Sequence, residues 1–179
     1  MEGTRMSLIE IMKKRRSIRS YTGEKVPGEM IEKVLQAGRL APSSFGNKAK
    51  EFIVVRDKDT LAKMADAREG AADMLKGADA AIVVISDETI TDVWTEDCSI
   101  AMAHMHLMAD DLGLGSCWIQ GRKRRARTGE STEEYLRKLL GFPESHRLAA
   151  ILSIGMPAKR PAPRDVDTMP EEKIHFERY

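Results

Sequence analysis

Four short apolar runs, separated by segments of helical periodicity, constrain the fold of this chain more than any other feature. The runs cover residues 51–55, 80–85, 115–120 and 148–154, and each is typical of a buried strand. Apolar residues at spacings of three and four predict helices before and between these strands. The chain is therefore expected to alternate between helix and strand.

Local signals give approximate bounds for the helices. Ser7–Glu10 and Ser131–Glu134 have the S-x-x-E form of a capping box, which predicts a helix start at each place. A second helix stops before Pro42, and an alanine-rich helical zone continues loosely over 61–76. The longest helix is predicted over about 91–112. It is apolar on more than one side, as expected for a central helix packed by several neighbours or lying in a dimer interface.

Composition bounds the size of the core and the class of partner. With 42% hydrophobic residues, the 179-residue chain can bury one sizeable core, so a single domain over 1–179 is expected. A formal net charge of +1 argues against nucleic acid and anionic membranes as partners. Cys98 and Cys117 lie outside any C-x-x-C motif, which argues against a disulfide framework and a zinc site. No signal-peptide or membrane-span pattern is present, so a cytoplasmic location is expected.

A basic cluster follows the first predicted helix, at Arg15, Arg16, Ser17 and Arg19. In an extended backbone Arg15, Ser17 and Arg19 share one side, and in a helix the first and last still do. Guanidinium groups bind phosphate oxygens through paired, charged hydrogen bonds, and a serine hydroxyl adds an uncharged donor. The cluster is a candidate phosphate site; the alternative is a solvated helix end stabilised by the helix dipole.

Five motifs, in order along the chain, resemble those of the nitroreductase family of flavin enzymes. They are RRSIRSY at 15–21, APSS at 41–44, GLGSCWI at 113–119, LGFPE at 140–144, and IGMPA with the closing IHFERY within 154–179. The resemblance implies an α+β fold whose mixed central sheet is flanked by helices. It also implies a homodimer with FMN at the subunit interface and a C-terminal tail that extends onto the partner subunit.

The resemblance further implies which residues bind the cofactor. The phosphate is expected at the basic cluster and a tail arginine, the P-S-x loop is expected at the partner's flavin, and the turn at 114–116 is expected beside the isoalloxazine ring. Without a Cβ, Gly115 allows close approach to a flat ring, although a helix C-cap is an alternative role. The full set is Arg15, Arg16, Ser17, Arg19, Pro42, Ser43, Ser44, Leu114, Gly115, Ser116, Arg160 and Arg164.

Three departures from the family pattern bear on this site. Where relatives often have N-x-Q-P-W after the P-S-x loop, this chain has GNKAK at 46–50, so contacts to the flavin edge are expected to differ. Lys48 or Lys50 is a candidate to favour a reduced, anionic flavin. The tail lacks the R-x-R of many relatives, because Arg164 is followed by Asp165. The long insertions of larger relatives are absent as well, which predicts an open pocket.

Other signals carry weaker hypotheses. The basic run Arg122–Arg125 with Arg127 fits a nucleic-acid patch, a clamp for the 2′-phosphate of NADPH, or a solvated loop. His104 and His106 lie two apart on a predicted helix and face different sides, so they are expected to be core or interface residues. No metal site is expected.

The expected function follows from the resemblance. It is an FMN-dependent oxidoreductase in which NADH or NADPH passes hydride to the flavin and is then replaced by an electron-poor acceptor such as a nitroaromatic or quinone. The flavin carries the chemistry, so no side chain is assigned as a catalytic acid or base. The alternative is a flavin-binding or regulatory module with little turnover.

Overall fold

A computed structural model describes residues 6–168 and 170–179, so residues 1–5 and Met169 of the predicted domain lie outside the described part. Nine helices and strands within it position the site, and short 3₁₀ turns connect some of them. In chain order they are α1 (Leu8–Lys14), α2 (Gly28–Arg39), β1 (Lys50–Val55), α3 (Lys58–Met64), β2 (Ala80–Asp87), α4 (Trp94–Asp111), β3 (Gly115–Gln120), α5 (Thr132–Leu140) and β4 (His146–Gly155).

The four strands form one sheet in the order β1-β2-β4-β3, and each neighbouring pair runs antiparallel. The last strand in sequence therefore lies between β2 and β3. A parallel bridge between Ser17 and Ser116 joins the chain before Tyr21 to β3 at the sheet edge. The described sheet is therefore antiparallel rather than mixed as expected, and this isolated bridge is the one parallel pairing among the described residues.

Helices cover both faces of the sheet, because β2 alternates its side chains between two hydrophobic clusters. Ile82 and Val84 pack on the side of α2 and α4, and Val83 and Ile85 pack on the side of α3 and α5. Strand β2 is buried on both faces, which explains its unbroken apolar sequence. Full burial of a side chain such as Ile82 contributes about 1.5–3 kcal/mol, so these two layers hold the sheet rigidly beneath the site.

The α+β class and the sheet flanked by helices are confirmed, and the four strands lie where their sequence patterns predict them. The helical zone predicted over 61–76 is α-helical only to Met64 and beyond it has 3₁₀ turns at Ala65–Ala67 and Asp73–Lys76. The chain leaves the helix after Ala67 because Arg68 is extended and Gly70 adopts a left-handed backbone conformation with φ +68°. Within the described residues, no helix is long and apolar enough to cross a membrane.

Candidate functional site

Arg15 is held at the end of α1 by the central helix α4. Its Nη1 lies 2.9 Å from Nε2 of His106, whose Nδ1 lies 2.5 Å from Oγ of Ser116 in β3. Because an arginine only donates, Nε2 accepts, and Nδ1 carries the proton that it donates to Ser116. Burial, and then the charge of Arg15, lowers the pKa of His106 to about 4, so the ring is neutral near pH 7. His106 thus fixes two predicted site residues relative to each other.

The segment after Arg15 runs extended beside β3. The amide of Ile18 donates to the carbonyl of Ser116 at 2.9 Å, and Tyr21 O–H donates to the carbonyl of Ile18 at 3.0 Å. A Cβ added to Gly115 would lie 2.8 Å from Cγ2 of Ile18. The close approach seen at Gly115 is therefore to Ile18, and it brings the basic cluster against the start of β3.

Arg160, in the tail, is bound to the same end of α4. Its Nη1 donates to Oδ1 of Asp110 at 2.7 Å, and its Nη2 donates to the carbonyl of Leu114 at 3.0 Å. Asp110 follows His106 by four residues, so the two lie on one side of the helix. The other carboxylate oxygen of Asp110 is buried and has no hydrogen-bond partner among the described residues. This end of α4 therefore attracts cations strongly.

Arg16 and Arg164 add two further positive charges. Arg16 Nη1 donates to the carbonyl of Ala162, and the backbone amide of Arg164 donates to the carbonyl of Lys13 at 2.8 Å. Burial, and then the charge of Arg164, lowers the pKa of the Arg15 guanidinium. Four arginines thus gather near the single buried carboxylate of Asp110. The excess positive charge suits an anion with several acceptor oxygens, such as a phosphate.

A cavity of about 400 Å³ lies next to this cluster, and Arg19 is one of its walls. The carboxylate of Asp73, another wall residue, is paired with Arg127 at 2.8 Å and Lys76 at 3.2 Å, so the cavity is positive overall. Burial raises the pKa of the Cys117 thiol, which keeps it protonated near neutral pH. The lining includes Arg19, Arg68, Asp73, Met74, Cys117 and Trp118. The extended residues 17–19 connect this cavity to the phosphate-type cluster.

The predicted loop at Pro42, Ser43 and Ser44 lies elsewhere in the same chain. The amide of Ser44 donates to Asp97 at 3.0 Å, near the start of α4. Asp97 and His106 are nine residues apart on this helix, which separates the loop from Arg15 by about 14 Å along the helix axis. Lys50 Nζ donates to the carbonyls of Ala41 and Pro42, at 2.9 and 3.0 Å, and so fixes the loop. One chain therefore does not bring this loop to the arginine cluster.

Sequence reasoning missed His106, Asp110 and Arg68 as site residues. His106 and Asp110 lie four residues apart on one side of a largely apolar helix. Buried polar side chains need hydrogen-bond partners, so this pair is a signal that the sequence offers. Arg68 was missed because the sequence predicts it to lie within a helix. Among the described residues, no three His, Cys, Asp or Glu side chains form a candidate metal-ligand set.

Known proteins resemble this chain over nearly its whole length. The profile of the Nitroreductase family matches residues 12–71 and 65–156. A Methanothermobacter thermautotrophicus protein named as an NADH dehydrogenase/NAD(P)H nitroreductase is 36% identical over an alignment of 183 positions, which covers 98% of this chain and 90% of that protein.

Solved structures agree with this match. The structure of an FMN-dependent nitroreductase from Clostridium difficile has a TM-score of 0.92 and 41% identity, covering 96% of this chain and 99% of that one. A Desulfovibrio desulfuricans protein named as a nitroreductase, solved in complex with FMN, has a TM-score of 0.75 and 25% identity, covering 98% and 99% of the two chains. This chain belongs to the nitroreductase family.

Proposed function

We propose that this protein is an FMN-dependent oxidoreductase that takes hydride from NADH or NADPH and passes it to an electron-poor acceptor such as a nitroaromatic or quinone. Donor and acceptor use the same site in turn, which gives ping-pong kinetics. The observation that carries the proposal is the continuity of the arginine cluster around Asp110 with the Arg19–Arg68 cavity. Relatives named for NAD(P)H and FMN chemistry support it.

The residues present fit FMN at both of its ends. Arg15, Ser17 and Arg164 would hold the phosphate beside the paired Arg160, in a cluster whose positive charges outnumber its one buried carboxylate. Arg19 and Arg68 would hold the oxygen and nitrogen edge of the ring, because guanidinium groups only donate. Bound FMN supplies the hydride chemistry. The two cavity arginines would stabilise negative charge on the reduced ring.

The position of the Pro42–Ser44 loop supports a homodimer with FMN at its interface. About 14 Å of α4 separates this loop from the arginine cluster of its own chain, so we propose that it completes the site of a second copy. An apolar groove of about 420 Å³ includes Leu8, Met12, Leu40 and Leu107. Leu40 is 81% exposed and Leu8 59%, as expected of residues that a second copy covers. We propose that residues 1–179 act as one domain in this dimer.

Anaerobic titration tests the function. Purified protein reconstituted with FMN is expected to show a bound flavin absorbance that NADH or NADPH bleaches within seconds and that a nitroaromatic or quinone restores. Bound flavin that neither donor bleaches would support the regulatory module instead. Protein that retains no FMN after reconstitution and gel filtration would overturn both functions.

A further inference from the structure

One residue after the end of β3, a run of four basic residues begins, here called the basic segment: Arg122, Lys123, Arg124 and Arg125. The next basic residue, Arg127, is neutralised by Asp66 at 3.4 Å and Asp73 at 2.8 Å. Among the described residues, no carboxylate lies within 4.0 Å of a charged nitrogen of the basic segment. Four positive charges without a carboxylate partner are therefore concentrated in a chain whose formal net charge is +1, and one of them, Arg122, lies over the Trp94 ring at 5.6 Å.

The basic segment is held in one conformation by backbone hydrogen bonds on both sides. The amide of Thr132 donates to the carbonyl of Arg124 at 2.9 Å, and the amide of Glu69 donates to the carbonyl of Arg125 at 3.1 Å. Lys123 adopts a left-handed backbone with φ +57°, which is unfavourable for a residue with a Cβ and persists where neighbouring contacts impose it. These contacts fix the position of the basic segment relative to β3 and α5.

Two connections place the basic segment at the border of the Arg19–Arg68 cavity. Trp118, in the cavity wall, donates through Nε1 to Oε1 of Gln120 at 2.9 Å, and Nε2 of Gln120 donates to the carbonyl of Arg122 at 3.2 Å. Burial, and then the charge of Arg124, lowers the pKa of the Arg68 guanidinium. The segment and the cavity thus share one positive field.

We propose that the basic segment binds the 2′-phosphate of NADPH while the nicotinamide end of the same molecule lies against the flavin at the mouth of the Arg19–Arg68 cavity, which makes NADPH the preferred donor. This inference rests on the proposed function. A dinucleotide carries its 2′-phosphate far from its nicotinamide, so the cations are needed beside the cavity and not inside it. No aromatic residue interrupts the basic segment, which disfavours the stacking that single-stranded nucleic acid requires.

Calorimetric titration of the FMN-loaded protein with adenosine 2′,5′-bisphosphate and with 5′-AMP tests the proposal. The bisphosphate is expected to bind about tenfold more tightly or better, since each charged hydrogen bond lost is worth at least that factor. The double variant Lys123→Ala/Arg124→Ala should lose this preference. Its KM for NADPH should rise about tenfold while its KM for NADH stays unchanged. The matched control Lys25→Ala/Lys33→Ala removes two exposed charges near α2 and should retain the preference.

Three outcomes would overturn the proposal: equal affinity of the unmodified protein for the two nucleotides, equal loss in both double variants, or tighter binding of single-stranded RNA than of the bisphosphate. The last would assign the basic segment to nucleic acid. Failure of the proposed function looks different, because the protein would then distinguish the two nucleotides while neither NADH nor NADPH bleaches its flavin. If both NADH and NADPH bleach the flavin but the protein binds the two nucleotides equally, the proposed 2′-phosphate site is wrong and the proposed oxidoreductase function stands.

Discussion

At the scale of single residues, His106 determines how Arg15 is presented. The imidazole lies between the guanidinium of Arg15 and the hydroxyl of Ser116, and its neutral form is what lets Nε2 accept from Arg15. Protonation would convert that acceptor into a donor facing a cation. The protonation state of His106 therefore controls both the local stability and the geometry of the proposed phosphate site.

This arrangement predicts a pH dependence of stability. The folded-state pKa of about 4 lies below the ordinary value of 6.5, so the unfolded chain takes up the proton first as the pH falls. The stability contribution is complete above about pH 6.5 and decreases toward pH 4. The loss between pH 7 and pH 4.5 is roughly 2–3 kcal/mol in the free energy of unfolding. Urea unfolding at the two pH values measures it.

The His106→Gln variant is the control, because glutamine offers an acceptor to Arg15 and a donor to Ser116 but does not titrate. It should lose clearly less stability than the unmodified protein over the same pH interval. It should also bind FMN more tightly than His106→Leu, which offers neither group. Parallel pH profiles for the unmodified protein and His106→Gln would contradict the assignment.

Arg19 gives a second prediction at this scale. Its guanidinium lines the cavity with Arg68, so Arg19→Ala should weaken FMN binding by about 1.5–3 kcal/mol through loss of a charged hydrogen-bonding group. Fluorescence titration of the apoprotein with FMN measures the affinity. Lys33→Ala on α2 removes an equal charge and should leave the affinity unchanged. An unaltered affinity in Arg19→Ala would place Arg19 outside the site.

At the scale of elements, α4 organises the molecule. Asp97 fixes the Ser44 loop near its first turn, and His106 with Asp110 fixes the arginine cluster near its last. Two places on one rigid helix are therefore held at a constant separation. The position of α4 depends in turn on its close contact with α2, where Gly38 faces Met105.

Substitution of Gly38 should test that contact. An added Cβ would lie 2.8 Å from Sδ of Met105 and 3.2 Å from Cε1 of Phe52. Overpacking of a buried contact costs about 1–3 kcal/mol, whereas the helix propensity gained from glycine to alanine is about 1 kcal/mol. Gly38→Ala should therefore lower the free energy of unfolding by up to about 2 kcal/mol, measured in urea. Gly28→Ala in the same helix meets no atom closer than 4.0 Å and should not be destabilising. Similar values for both variants would refute the packing argument.

Most helices and strands are predictable from the sequence, but which of them pack against one another is not. Ser131–Glu134 forms the predicted capping box, and the apolar run at 80–85 forms the fully buried β2. Placement of β4 between β2 and β3 is a tertiary result that no local pattern encodes. The sequence predicts His106 only as a core or interface residue. Its partners Arg15 and Ser116 are far away in sequence and come together only when α1 and β3 meet in the fold.

At the scale of the whole molecule, the exposed apolar surface around α1 supports the proposed dimer. Leu8, Met12 and Leu40 line one groove, and the loop that the resemblance assigns to the flavin lies away from the arginine cluster. The tail from Pro157 onward is largely exposed, and its extension onto the partner subunit remains a prediction. The proposed second copy would cover the groove and bring the loop to a flavin site.

Charges placed in the groove should therefore dissociate the proposed dimer. Leu8→Glu/Leu40→Glu is expected to shift the mass measured by light scattering from two chains to one and to weaken FMN binding at the same time. Ala62→Glu adds a charge at an exposed position of α3, on the other face of the sheet, and should leave the mass unchanged. An unmodified protein that is monomeric at micromolar concentration would refute the dimer.

The hydrogen bond from Arg16 to Ala162 joins positions 146 residues apart, so the proposed anion site forms only when the segment after β4 returns to the end of α1. During synthesis at about 5–20 residues per second, both hydrophobic layers can assemble before the last arginines leave the ribosome. Cofactor binding at the proposed site would then follow folding of the sheet. A released chain that ends before Arg160 should keep a folded sheet and fail to retain FMN.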